Sequence, residues 1–289
     1  MKSYLDKYLP SFSLWRSRRP TVAVIRLNGV IGRVGGLRQG LTLAGLASAI
    51  EKAFRQKRLT AVALSINSPG GSPVQSSLLH RRIRTLAAEK DVPVFAFVED
   101  VGASGGYWLA CAGDEIYADA NSIIGSIGVV SAGFGFADAI KRLGIERRLY
   151  TAGKQKGMLD PFLAEDAKDV KHLKSLQGEL HENFKGIVRE SRGERLSGPE
   201  AELFSGAFWT GRQALDMGLV DGVGELRETL RDRFGDKTRF RIFGDSRKSL
   251  RRRLGLGGET VRDVPDAGDW LVRGLAAVEE RLFWSRFGL

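Results

Sequence analysis

Side chains capable of chemistry gather in four short, glycine-framed segments of this sequence. In Asp100-Val-Gly-Ala-Ser104-Gly-Gly-Tyr-Trp, a serine flanked by small residues opens an apolar run. If that run is a helix, the Ser104 Oγ sits among unpaired N–H groups that favour developing negative charge. A serine in that place is equally an ordinary helix cap, so Ser104 needs a base to be more than one. Histidine is the usual base, and the chain has three. His80 sits among Leu78, Leu79, Arg81 and Arg82, while His172 and His181 fall on a charged helical stretch. Each reads as a solvated helical residue, which makes a Ser-His-Asp triad the weaker mechanism. Gly153-Lys154-Gln155-Lys156-Gly157 offers an alternative, because a lysine acts as a base where burial beside neutral groups lowers its pKa. Two surface lysines in a turn would look the same, and spacing does not decide. In Asn67-Ser68-Pro69-Gly70-Gly71, glycines that accept φ > 0 can aim N–H groups at a ligand, or simply make a tight turn. Gly125-Ser126-Ile-Gly128 supplies a hydroxyl that orients an amine or caps a strand end.

The elements between these segments alternate. Val22-Ala-Val-Ile-Arg-Leu is a β-rich run ended by Asn28-Gly29, and residues 42–57 have the apolar period of an amphipathic helix. Residues 61–66 form a second strand, 76–90 a second helix and 92–99 a third strand. This β, α, β, α, β order predicts a parallel sheet with helices covering it. In such folds function collects beyond the carboxyl ends of strands, where these glycines lie. Further on, the pattern predicts a helix around Phe136 to Leu143, a strand near Arg147 to Tyr150, a long charged helix over 163–192, and short helices at 197–203 and 210–217.

Bulk properties narrow the classes. Of 289 residues 36 are glycine and 8 proline, with 43% hydrophobic, which excludes collagenous and disordered chains. Cys111 is the sole cysteine, so there is no intrachain disulfide or thiolate cluster for a metal, and its apolar setting predicts a buried residue. The net charge of +11 is concentrated at Arg16, Arg18 and Arg19 and again at Arg247 to Arg253, which favours an anionic membrane surface over nucleic acid. No stretch reaches the about 18–20 apolar residues of a membrane span, and residues 1–19 lack the apolar core of a secretory signal. A cytoplasmic location, with peripheral contact at the inner face of the membrane, is the expectation. The chain divides into an N-terminal arm (1–20), one α/β domain (21–240) and a basic, amphipathic tail (241–289). In that tail Trp270, Leu271, Leu282, Phe283 and Trp284 suit a membrane-surface or a packing helix, and Glu279 and Glu280 favour packing.

Taken together, the four segments resemble the S49 peptidases, the family of signal peptide peptidase A and SohB, in order and spacing over residues 21–235. The resemblance implies a ClpP/crotonase-like α/β fold, a parallel sheet with flanking helices, here with a C-terminal helical appendage. It implies a serine endopeptidase with a Ser/Lys dyad that cleaves signal peptides or other unstructured peptides through an acyl-enzyme, with no cofactor and no metal. In Ala-Ser-Gly-Gly-Tyr, Ser104 matches the nucleophile. Lys156, five residues before Pro161, matches the base, with Lys154 one step off that register. Ser126 matches a serine that orients the lysine, and Gly70 or Gly71 with Gly105 match the oxyanion-holding loops. The family also implies a homo-oligomer whose active sites are shared between protomers, with peptide or unfolded protein as substrate and no nucleic acid. Gly102 stands where the family commonly has alanine, and the usual N-terminal span is replaced by the Tyr/Leu/Trp arm.

Two other classes compete. A non-catalytic scaffold would keep the fold, but nothing in it requires Ser104, Lys156 and Ser126 together. A crotonase-type acyl-CoA enzyme would use oxyanion-holding N–H groups but has little need of a nucleophile in Ala-Ser-Gly-Gly.

Overall fold

The computed structural model describes residues 19–34, 38–244, 281 and 283–288. The N-terminal arm and most of the basic tail, including the Arg247–Arg253 cluster and Trp270, therefore lie outside the described residues. Among the described residues no helix is long and apolar enough to cross a membrane.

Strand β1 (Thr21–Asn28) is followed by a small antiparallel pair, β2 (Arg33–Val34) and β3 (Arg38–Gln39). Helix α1 (Leu43–Phe54), strand β4 (Leu59–Ser68), helix α2 (Pro73–Lys90) and strand β5 (Val94–Ala103) come next. A short α3 (Gly105–Ala110) leads to β6 (Glu115–Ala118) and β7 (Ile123–Gly125). Then come α4 (Ala137–Arg142), the long α5 (Ala167–Arg192), α6 (Glu200–Leu203), β8 (Phe208–Thr210) and α7 (Gly211–Asp216). Strand β9 (Gly222–Val223), helix α8 (Leu226–Phe234) and strand β10 (Arg239–Phe243) complete it. The main sheet runs β10-β1-β4-β5-β6-β9 with every neighbouring pair parallel. Strand β7 pairs parallel with the end of β5 and antiparallel with β8.

Alternation along the strands explains the two cores. On β1, β4 and β5, Ile25, Leu27, Leu64, Ile66, Ala96 and Val98 point to one face with Ile50 of α1, Leu79 and Ile83 of α2 and Leu109 of α3. The intervening Val22, Val24, Ala61, Ala63, Phe95 and Phe97 point to the other, under Leu230 of α8. At about 25 cal/mol per Å² of apolar surface, burial of this kind is the main stabilising term.

Helix boundaries follow local chemistry. Ser72 caps α2, accepting from the Gln75 N–H, with Pro73 in the first turn. Asp166 caps α5 at Lys168, so the long helix starts four residues later than the charge pattern predicts. The strand expected near Arg147 to Tyr150 does not form. Those residues lie on an exposed stretch without a ladder partner, and Arg147 and Arg148 pair instead with Asp160 and Glu146. Residues 129–166 project from the core, with Phe134 80% and Tyr150 90% exposed.

Candidate active site

The carboxyl end of β5 delivers Ser104 to a sharp strand-to-helix turn. Its backbone sits at φ 51°, ψ −122°, an uncommon conformation for a residue with a side chain, and makes no side-chain cap bond. Two contacts impose it. The Ser104 N–H donates to the Gly125 carbonyl at 2.8 Å, and the Trp108 N–H returns to the Ser104 carbonyl at 3.0 Å. Ser104 is half-buried, whereas Gly105, Gly106 and Tyr107 behind it are buried.

The Asn67–Gly71 loop lies against this turn. Its backbone comes so close that a Cβ on Gly70 (φ +100°) would meet the Ser104 Cβ at 2.7 Å and the Gly105 N at 2.8 Å. Glycine is required there by contact as well as by φ. Asn67 anchors the loop by donating from Nδ2 to Asp100 at 2.5 Å and accepting from the Val101 N–H at 3.2 Å. The Gly70 N–H donates to the buried Ser68 Oγ at 3.2 Å, and the Gly70 carbonyl accepts from Ile31. The Gly71 and Gly105 N–H groups have no hydrogen-bond partner among the described residues. A Cβ on Gly105 would stand 3.4 Å from the Gly71 N, so the loop that carries one free donor packs against the turn that carries the other. Of the three glycines singled out in the sequence, Gly71 and Gly105 thus offer free donors and Gly70 supplies the room.

Ser126 follows directly on the carbonyl that holds Ser104. It is 7% exposed, takes φ +52°, and its N–H donates to Ala207 at 2.6 Å. Its hydroxyl has no hydrogen bond among the described residues. Lys156 and Lys154 are elsewhere, on the exposed turn Gly153–Leu159 of the projecting segment. Among the described residues neither ammonium bonds to Ser104 or Ser126.

Two histidines differ from their reading as solvated residues. His80 faces the Cys111 carbonyl at 3.3 Å, and burial lowers its pKa. His181 reaches the Ile127 carbonyl at 3.0 Å, one residue past Ser126. Only His172 is exposed. Helix periodicity hid the difference, since both residues lie at the boundary of a buried stripe. Ser68 lies inside the Asn67–Gly71 motif, and nothing in the sequence marks its hydroxyl as the acceptor of the Gly70 N–H. Cys111 is buried as expected, and that burial pushes its thiol up to about 12. It is no nucleophile at neutral pH.

A parallel sheet whose inner strand β5 delivers a serine to a strained strand-to-helix turn gives the chain a ClpP/crotonase-like α/β fold. The solved structure of a mutant 1510-N membrane-bound stomatin-specific protease with a substrate peptide has the same fold, at TM-score 0.51 and 15% identity, over 90% of this chain and 99% of that one. Residues 87–234 match the sequence model of peptidase family S49, and the chain belongs to that family. A Brucella abortus protein named Na(+)/H(+) antiporter NhaA is 49% identical over 282 residues, 95% of this chain and 38% of that protein. The chloroplastic serine protease SPPA of Arabidopsis thaliana is 34% identical over 220 residues, 73% of this chain and 32% of that protein. The chain spans well under half the length of either relative.

Proposed function

We propose that the chain is a serine endopeptidase in which Ser104 is the nucleophile, Lys156 the general base, and the Gly71 and Gly105 N–H groups the oxyanion donors. The observation that carries this reading is a serine held in a strained strand-to-helix turn, followed by the free N–H of Gly105 and packed against the loop that carries the free N–H of Gly71. In the first step the neutral lysine amine takes the Ser104 hydroxyl proton as Oγ bonds to the peptide carbonyl carbon. The oxyanion lies between the two N–H groups. Collapse breaks the C–N bond, the lysine ammonium returns the proton to the leaving amine, and an acyl-enzyme remains. Water, deprotonated by the same amine, then bonds to the acyl carbon, the C–Oγ bond breaks, and the ammonium returns the proton to Ser104 Oγ as the acid leaves. Ser126 orients the amine. The family and the peptide-bound neighbour support an extended peptide, from a signal peptide or an unfolded chain, as substrate.

Within one chain Lys156 is solvated, and a lysine becomes a base only where its charged form is disfavoured. The segment that carries it also exposes Phe134, Leu143 and Tyr150. An apolar surface of that kind marks a protein interface. We therefore assign this segment to contact with a second copy of the chain, which places each Lys156 under its neighbour's surface and beside its neighbour's Ser104.

The test is cleavage of an unstructured peptide by Ser104→Ala, Lys156→Ala and their mixture. Each variant alone is expected to be inactive. If active sites are shared between protomers, random assortment of the two restores activity to about a quarter of wild type. Cleavage by Ser104→Ala at the wild-type rate refutes the peptidase assignment, and a dead mixture refutes sharing between protomers.

A further inference from the structure

The mechanism leaves His181 unused, and its position gives it a task. Ser104 and Ser126 hold φ +51° and +52°, a region that a residue with a side chain keeps only when its surroundings over-determine it. Four hydrogen bonds do so around the 125–128 turn. Three are main chain to main chain: Ser104 to Gly125 at 2.8 Å, Ser126 to Ala207 at 2.6 Å and Gly128 to Ser126 at 2.9 Å. The fourth comes from a side chain, His181 Nε2 at 3.0 Å from the Ile127 carbonyl. A carbonyl only accepts, so Nε2 carries the hydrogen.

His181 lies on the inward stripe of α5 with Phe184 and Val188, at spacings of three and seven. One turn along, Phe184 stacks on Trp108 of α3 with ring centroids 4.9 Å apart and planes 18° apart. Helix α3 is the one that Ser104 opens. A single helix face thus braces the nucleophile's helix through a ring stack and the Ser126 turn through a hydrogen bond.

We propose that His181 is a positioning residue for the peptidase reaction. By donating to the Ile127 carbonyl it fixes the turn that aims the Ser126 hydroxyl and presents the Gly125 carbonyl to the Ser104 N–H. It touches neither substrate nor reacting atoms. The inference rests on the serine-peptidase reading, and the experiment separates the two.

Kinetics on one unstructured peptide are compared for wild type, His181→Phe, which keeps a ring without a donor, and His181→Gln, which keeps an N–H donor. Melting temperature, oligomer size and the rate of fluorophosphonate labelling at Ser104 are followed alongside. For His181→Phe we expect kcat and the labelling rate to fall about 10- to 100-fold, the effect of misplacing reacting groups by a fraction of an ångström to one ångström. KM, melting temperature and oligomer size should hold, and His181→Gln should recover most of kcat. Wild-type kcat in His181→Phe overturns the proposal. So does a His181→Gln variant as impaired as His181→Phe, or a kcat loss that only follows loss of folded protein. Undiminished cleavage by Ser104→Ala would sink the peptidase reading itself, whatever the His181 variants do.

Discussion

Replacing Gly70 by alanine tests the site at its tightest point. The added carbon would lie 2.7 Å from the Ser104 Cβ, 2.8 Å from the Gly105 N and 2.9 Å from the Ala103 carbonyl oxygen. Carbon atoms pack at about 3.5–4.0 Å, so the methyl stands roughly 1 Å inside contact. All three obstructing atoms are main chain or Cβ, and no rotamer change clears them. Either the Asn67–Gly71 loop or the Ala103–Gly105 turn must move. Overpacking costs about 1–3 kcal/mol, and alanine at φ +100° adds about 1–3 kcal/mol more. The same shift separates the Ser104 Oγ from the Gly71 and Gly105 N–H groups. A displacement of about 1 Å lowers kcat roughly 100-fold. Urea unfolding measures the first effect and peptide cleavage by the fraction that stays folded measures the second. Gly178 serves as control, since a Cβ there meets nothing within 4 Å. Alanine at this helical position should gain about 1 kcal/mol and leave kcat alone. A Gly70→Ala enzyme with wild-type kcat would show that the loop does not form the oxyanion space.

Three further predictions concern the frame behind the site. The Arg192 side chain is fully buried and its fork bonds Asp221 at 2.7 and 2.9 Å, while Asp221 also accepts from the Ile116 N–H at 2.7 Å. Asp221→Ala leaves that guanidinium buried and largely unpaired and should cost about 3–5 kcal/mol by urea unfolding, so a loss near zero contradicts this role. Burial alone would raise the Asp221 carboxyl, but Arg192 and the Ile116 N–H hold it below its ordinary value. Its contribution is therefore complete above the unfolded-state pKa of about 3.9 and disappears as pH falls through the lower folded-state value. A stability profile that declines already between neutral pH and about 5 would have another cause. Cys111, the sole cysteine, is buried with its thiol pushed up to about 12. A thiol reagent at neutral pH should modify it only as fast as the protein unfolds, and prompt labelling of the native protein would contradict this burial.

The alternation of apolar runs and turn residues was enough to place the first three long strands and the helices between them. Those runs are long and their periods differ, and local sterics read both. Glycine pairs and small residues at the strand ends marked Ser104, Ser126 and the Asn67–Gly71 loop for the same reason, since a residue's tolerance of a conformation is a property of its own type. Residues 147–150 had strand composition, but a strand exists only where a neighbour takes its hydrogen bonds, and the projecting segment offers none.

Tertiary structure decided what each marked group does. Ser68, two residues away, occupies the Gly70 N–H and leaves those of Gly71 and Gly105 free. His181 read as one polar residue on a charged helix until the fold brought α5 against the Ile127 carbonyl, 54 residues distant. Lys156 stayed on an exposed turn within its own chain. Composition and period are local quantities, legible along the chain. Which N–H is spent, which imidazole faces a carbonyl and which lysine meets a serine depend on distances between remote segments, and packing alone sets those.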